Sequence, residues 1–473
     1  MSGALVSVSP SDPADVLGTF PVADADSVDT AVSRARKAFP AWRDMGFEGR
    51  AAVLRRFAEE ARERVPELAE LITREVGKAL WDACGEASLL APKVDVTLDT
   101  GMTHVATVEA APGQRATFFP RGVLAVYGPF NFPVHLPNGH IVPALATGNT
   151  VVFKPSELAP ATGAWMAALW REIGLPDGVL EIVQGGAETG RALSVNPDVD
   201  GVLFTGSYET GRAIAHATLD QPHKLLALEL GGSNAYLVCE DADLDLAVSE
   251  AALSIAASTG QRCTCARRLF VARSVADAFT EKLVNVLRGL TIGDPFDEGV
   301  FMGPLVSRTA FDQVVGQRAL ADAAGAERIL LVEPDLPPPY VGPGLVRFPG
   351  LRQDHPYQRD ETFGPEAALY TVDDLDEAIA AANDTDYGLV ASVMTRDRAN
   401  YERCVGRIRT GLLNWNKATV GASGKLPFGG IGKSGNDRPA GATATLYCTV
   451  PQAHLESEAG FDPNTLPPGM PRP

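Results

Sequence analysis

The chain has 473 residues, with 59 acidic and 41 basic side chains and a formal charge of −18. Its 45% hydrophobic and 21% charged residues are ordinary globular values, which excludes general disorder; the length predicts two to four domains of roughly 100–200 residues. The acidic balance excludes an electrostatic nucleic-acid binder or a protein held on anionic lipid by bulk charge.

The first ten residues, MSGALVSVSP, carry neither a basic nor an apolar leader region, so the expected address is the cytoplasm. Residues 27–100 read as helices, with Val28, Ala31, Val32 and Ala35, then Val53, Leu54, Phe57 and Ala61, at helical spacing. Around Pro112-Gly113, residues 103–120 read as a β-hairpin arm that would pair with another subunit. Apolar runs then recur at 122–127, 149–154, 178–183, 201–205 and 225–230, separated by helix-compatible stretches. That alternation predicts right-handed βαβ crossovers and a parallel sheet. A second series has strands at 234–238, 267–272, 368–372, 389–394 and 411–415, with helices at 245–258, 275–289 and 374–382. The Pro-rich patch Pro334–Pro343 reads as a surface loop, and the Pro-rich tail after Ser457 as extended or disordered.

Five stretches could carry chemistry. In FTGSYETGRAI (204–214), Gly206 and Gly211 bracket a strand-to-helix turn whose N–H groups could hold a pyrophosphate. In VVFKPSE, Lys154 and Glu157 end an apolar strand; a carboxylate there accepts from ribose hydroxyls and repels a 2′-phosphate. In LALELGGSN, Glu229 ends an apolar strand, where burial would raise its pKa toward that of a useful base. In STGQRCTCARRL, Cys263 sits among Arg262, Arg267 and Arg268, cations expected to lower a thiol pKa; spacing alone does not choose between Cys263 and Cys265. In the Pro-bounded turn YGPFNFP, the Asn131 amide could donate to an oxyanion or simply form the turn. C-x-C without a nearby His is not a zinc signature, and no metal is expected.

Taken in order, PFNFP, FKPSE, FTGSYETG, LELGG, GQRC, ETFGP and PFGGIGKSG resemble the NAD(P)-dependent aldehyde dehydrogenase superfamily from about residue 20 to about 455. NGHIVPAL, GQRCTCARR, GLLNWNK and PFGGIGKSGNDRP are similar to its N-succinylglutamate 5-semialdehyde dehydrogenases, which act in bacterial arginine catabolism. Against that pattern the chain begins late, without the usual opening strand that carries a W-x-N-G-type turn. The resemblance implies an α/β fold of two doubly wound lobes plus a β-hairpin oligomerisation arm. Residues 1–101 and 122–231 would form the NAD-binding domain, 232–435 the catalytic domain, and 102–121 with 436–473 the arm and tail. Cys263 would be the nucleophile, Glu229 the general base, and the Asn131 amide with the Cys263 N–H the oxyanion donors. Gly206, Ser207 and Gly211 would hold the pyrophosphate, and Lys154 and Glu157 the adenosine ribose. Glu361 and Phe363 would meet the nicotinamide ribose and ring, and Phe130 would line the cleft. NAD is preferred to NADP because of Glu157. The expected partner is a small aldehyde, in a homodimer or homotetramer. Arg262 and Lys417 are the candidate anchors for substrate carboxylates, with Arg121 and His135 behind them. Competing readings are a dehydrogenase of another aldehyde, a coenzyme A-acylating relative and a catalytically silent protein on the same scaffold.

Overall fold

The structure, a computed structural model, describes residues 3–352, 354–458 and 460–473. It opens with an antiparallel hairpin, β1 (Ala4–Val8) on β2 (Val16–Pro21). On β1 only Ser7 is buried, and its hydroxyl donates to Glu75 at 2.5 Å; the strand is pinned by a polar contact that leaves no apolar alternation. Helices α1 (Ala25–Asp44), α2 (Gly46–Glu63), α3 (Val65–Val76), α4 (Leu80–Ala87) and α5 (Leu90–Asp99) follow. The Asp24 carboxylate caps α1 by accepting the Ser27 N–H at 2.9 Å. Gly77, at φ 73°, ends α3 in the left-handed conformation.

After the arm strands β3 (Val108–Ala111) and β4 (Gln114–Pro120) come β5 (Val123–Tyr127), α6 (His135–Ala146), β6 (Thr150–Lys154), α7 (Pro160–Glu172) and β7 (Leu180–Ile182). The lobe closes with α8 (Ala187–Val195), β8 (Gly201–Thr205), α9 (Tyr208–Ala217) and β9 (Leu225–Glu229). Its sheet is parallel, in the order β7-β6-β5-β8-β9. Every residue of β5 and β6 is buried, as in strands covered by helices on both faces. The order reverses between β5 and β8, and open α/β sheets bind ligands at such a switch point, beyond the carboxyl ends of the strands.

The second lobe runs β10 (Asn234–Val238), α10 (Leu244–Ala256), β11 (Ala266–Ala272), α11 (Ala276–Arg288), α12 (Arg308–Ala323), β12 (Glu327–Leu331) and β13 (Gly344–Arg347). It continues with β14 (Glu366–Val372), β15 (Val390–Met394) and β16 (Leu412–Trp415). The order is β12-β13-β14-β11-β10-β15-β16, with only β12 antiparallel to its neighbour. The Pro-rich patch joins β12 to β13, a pair absent from the sequence reading, as is α12. The predicted helix 245–258 stops at Ala256, because Ser258 and Thr259 take left-handed backbone.

A two-residue ladder, β17 (Pro427–Phe428) on β18 (Ala440–Gly441), lies beside the end of β9, and β19 (Thr449–Leu455) adds to the arm on β4. Beyond it the described tail has one short helical turn at Pro463–Thr465; Ala459, within that tail, lies outside the described residues. The architecture is two doubly wound α/β lobes and an antiparallel arm. Among the described residues no helix is long and apolar enough to cross a membrane.

Candidate active site

The turn after β5, the end of β9 and the loop before β11 bring Asn131, Glu229 and Cys263 into one cleft. Asn131 is buried, and its Nδ2 donates to the Gln261 carbonyl at 2.8 Å, two residues before Cys263. The Asn234 Nδ2 donates to the Cys263 carbonyl at 2.7 Å and the Cys265 carbonyl at 2.9 Å, pinning the loop from β10. Cys263 is partly accessible; Cys265 is fully buried with Ala257, Ala418 and Val420.

The expected effect of the arginines on Cys263 is reversed. Arg267 donates to the Gly364 carbonyl at 2.7 Å and the Gly260 carbonyl at 2.6 Å. Arg268 donates to the Ser233 carbonyl at 2.7 Å and the Ala382 carbonyl at 3.1 Å. Arg262 pairs with Asp82 at 2.7 Å. Their charges are spent on the scaffold. Burial, together with the carboxylates of Glu361 and Glu229, pushes the Cys263 thiol up instead of down.

Three consecutive residues before Cys263 have positive φ: Ser258 at 52°, Thr259 at 54° and Gly260 at 72°. Left-handed backbone costs roughly 1–2 kcal/mol at a residue with a Cβ. Thr259 Oγ1 holds the turn by donating to the Gly303 carbonyl at 2.9 Å.

Glu229 is 5% exposed. Burial raises its carboxyl well above the usual range, offset only in part by the Ala440 backbone N–H. Its Oε2 has no partner among the described residues. A Cβ on Gly429 would come within 2.7 Å of Glu229 Oε1, so Gly429 makes room for the carboxylate. Glu229 is the register partner of Thr205 on β8. The buried His140 ring bridges Thr205 Oγ1 (3.2 Å from Nε2) and Tyr447 Oη (2.8 Å from Nδ1), and burial lowers its pKa to about 3, so it is neutral. The sequence reading found no role for His140 or Tyr447.

Toward the first lobe, α9 starts at the switch point, its first turn capped by Ser207 Oγ, which accepts the Thr210 N–H at 3.2 Å. Gly206 N–H donates to the Glu229 carbonyl at 3.0 Å, which ties this turn to the end of β9. Gly211 packs under Leu230. Lys154 is buried, 3.7 Å from the exposed Glu157, and burial lowers its pKa. Phe130 and Phe363 meet edge to face at 5.8 Å. Glu361 Oε1 accepts the Gly232 N–H at 2.9 Å, and burial raises its carboxyl to about 7. A Cβ on Gly231 would lie 2.1 Å from Glu361 Oε2. A helix start, two carboxylates set apart and a pair of rings form a cradle that fits a nicotinamide dinucleotide.

Of the proposed anchors, Lys417 is exposed, and no ion pair to it is found among the described residues. Arg262 is not the unpaired cation the expectation required, since its charge is matched by Asp82. Arg121 donates to the Tyr447 carbonyl at 2.6 Å, and burial with Lys93 and Lys78 lowers His135 to about 4. Sequence reasoning missed Lys78, Asp82 and Glu86; the legible signal was two carboxylates four residues apart inside the apolar stretch 79–91.

The aldehyde dehydrogenase family model matches residues 2–453. The chain is 43% identical over 472 residues to the N-succinylglutamate 5-semialdehyde dehydrogenase of Serratia proteamaculans (strain 568), covering 98% of this chain and 95% of that one. An NAD-dependent aldehyde dehydrogenase from Sinorhizobium meliloti superposes with a TM-score of 0.91 at 32% identity, over 97% of this chain and 93% of the other. An E. coli NADP-dependent enzyme superposes with a TM-score of 0.90 at 33% identity, over 95% and 94%.

Proposed function

The chain belongs to the aldehyde dehydrogenase family, an aldehyde-oxidising oxidoreductase using a nicotinamide cofactor, and on that premise we propose that it oxidises N-succinyl-L-glutamate 5-semialdehyde to N-succinyl-L-glutamate with NAD. The observation that carries this reading is the convergence of Cys263, Asn131 and Glu229 in a chain 43% identical to enzymes named for that substrate.

Cys263 releases its thiol proton to water and adds as the thiolate to the aldehyde carbon, giving a tetrahedral adduct whose oxyanion accepts from the Asn131 amide and the Cys263 N–H. A nicotinamide held in the cradle would supply the hydride acceptor, and the acyl group left on Cys263 would then be a thioester. Glu229 takes a proton from water; the hydroxide adds to the thioester carbonyl, the C–S bond breaks, and carboxylate and thiolate separate. Gly206, Ser207 and Gly211 hold the pyrophosphate, Lys154 and Glu157 the adenosine ribose, and Glu361, Phe363 and Phe130 the nicotinamide end. The exposed Glu157 carboxylate supports NAD over NADP, since it would repel a 2′-phosphate. Lys417 supplies the unmatched cation for a substrate carboxylate, a role that Arg262, held by Asp82 and Ser258, does not share. Residues 1–101 with 122–231 form the cofactor domain and 232–435 the catalytic domain. The arm sheet β19-β4-β3 leaves Val108, Phe119 and Leu455 exposed, which supports assembly into a homo-oligomer. The address is cytoplasmic.

The test is an NADH-formation panel comparing N-succinylglutamate semialdehyde, glutamate semialdehyde, succinate semialdehyde and a neutral aldehyde, each with NAD and NADP. The highest kcat/KM is expected for the succinylated substrate with NAD. A higher value for any other aldehyde removes the substrate assignment, and a preference for NADP removes the cofactor assignment.

A further inference from the structure

Helix α4 carries two buried carboxylates one turn apart, and each grips a different half of the site. Glu86 Oε1 accepts the Val134 and His135 backbone N–H groups at 3.1 Å each, at the start of α6 just beyond Asn131. Its Oε2 receives the Lys78 ammonium at 2.5 Å, and that ammonium lies 3.8 Å from the Phe132 ring centroid. Asp82 Oδ2 accepts the Ser258 hydroxyl at 2.5 Å, and Asp82 Oδ1 accepts the Arg262 guanidinium at 2.7 Å. Arg262 Nε closes the triangle on Ser258 Oγ at 2.8 Å.

Ser258 begins the run of three left-handed residues. Such backbone persists only where its surroundings over-determine it. Beside the Gly303 carbonyl on Thr259 and Arg267 on the Gly260 carbonyl, Asp82 holds two residues from outside the loop, Ser258 at the start of the turn and Arg262 after it. Only a carboxylate offers an acceptor to both donors; an amide must turn its NH2 toward one of them.

We propose that Asp82 is a positioning residue: through Ser258 and Arg262 it fixes the turn at 258–260 and so sets the Cys263 thiol against the Asn131 amide. It touches no reacting atom. Its partner on the helix, Glu86, fixes the Asn131 side in the same way, so α4 is a rigid gauge between nucleophile and oxyanion donor. The inference rests on the reading of Cys263 as nucleophile.

The test uses the full chain carrying Asp82→Asn, Ser258→Ala, or Asp82→Asn combined with Arg262→Gln. A misplacement of about 1 Å costs up to ~10²-fold in rate, so the single-turnover NADH burst is expected to slow at least about tenfold in both single variants. NADH affinity, read by fluorescence titration, should stay within about twofold, and amide hydrogen exchange should quicken at 257–263 but not in β5. The double variant should be no slower than Asp82→Asn, because residues acting as one unit are not additive. A burst within twofold of the parent in both single variants overturns the proposal. So does a burst and an NADH affinity falling by the same factor, or losses that multiply in the double variant. Should Asp82→Asn fail to fold, Ser258→Ala carries the test alone. Failure of the underlying reading looks different: Cys263→Ser would retain full turnover.

Discussion

The Asn131 amide nitrogen stands 2.8 Å from the Gln261 carbonyl, so the proposed oxyanion donor is hydrogen-bonded to the loop that carries the nucleophile. One N–H fixes the direction of the other, and the amide is aimed before substrate arrives. Asn131→Ala should therefore lower kcat by about 10²–10³-fold, the usual cost of one oxyanion donor. Asn131→Asp should be no better, because a carboxylate can donate to neither the Gln261 carbonyl nor an oxyanion. Steady-state kinetics decides this; kcat within fivefold of the parent in Asn131→Ala would remove the amide from the mechanism.

Glu361 predicts how stability depends on pH. Its folded-state pKa is raised from 4.5 to about 7 by burial, so between those values the native state binds more protons than the unfolded chain. Stability contributed by this group is present below about pH 4.5 and is lost as pH rises through 7, amounting to about 3 kcal/mol. Glu361→Gln, which retains an acceptor for the Gly232 N–H, should melt with the parent at pH 5 and above it at pH 8. Thermal scans of the cofactor-free protein check this. A gap between variant and parent that does not change with pH would show that the carboxylate is not held protonated by burial.

Gly260 sits at φ 72°, and a Cβ there would lie 2.1 Å from the Gly364 backbone carbon. Neither strain nor clash can be relieved by rotating a side chain. Gly260→Ala should cost about 3 kcal/mol of stability and displace the Cys263 loop. Denaturant midpoints and the burst rate should fall together. Gly186→Ala, where an added Cβ meets nothing within 4 Å, is the control: it should leave the burst unchanged and lower stability by at most about 1 kcal/mol, the cost of Ala at the helix N-cap it occupies.

The parts of this molecule that were legible in its sequence are those where local pattern and role coincide. The apolar strand that ends at Glu229 and the strand–turn–helix around Gly206 are local devices, and the structure has them where the pattern puts them. The thiol's surroundings were not legible, because proximity in sequence to three arginines says nothing of where their charges go. Arg268 reaches carbonyls more than 100 residues away, and Arg262 reaches a helix 180 residues earlier. Ser258 and Thr259 look like the end of a helix until Asp82 and Gly303 are present to hold them left-handed. Helix α12 was missed for a simpler reason: it buries only Val314 and Ala321, which makes no apolar stripe.

In the proposed mechanism Glu229 separates the two halves of the reaction. Burial raises its carboxyl well above the ordinary 4.5, so the fraction able to accept a proton from water grows with pH up to that raised value. If thioester hydrolysis limits turnover, kcat in the parent should climb along this limb. Glu229→Gln cannot accept the proton at any pH. It should still give an NADH burst of about one equivalent per active site, since carbonyl addition to Cys263 does not use the base for water. Steady-state turnover after the burst should fall at least about 10²-fold and lose the limb. Rapid-mixing absorbance reads both phases in one trace, and a peptide mass increased by the acyl group on the Cys263 segment identifies the stalled species. A variant that turns over at the parental rate excludes Glu229 as the base. A variant with neither burst nor turnover places it in the first half of the reaction, at the deprotonation of a thiol whose pKa this same carboxylate helps to raise.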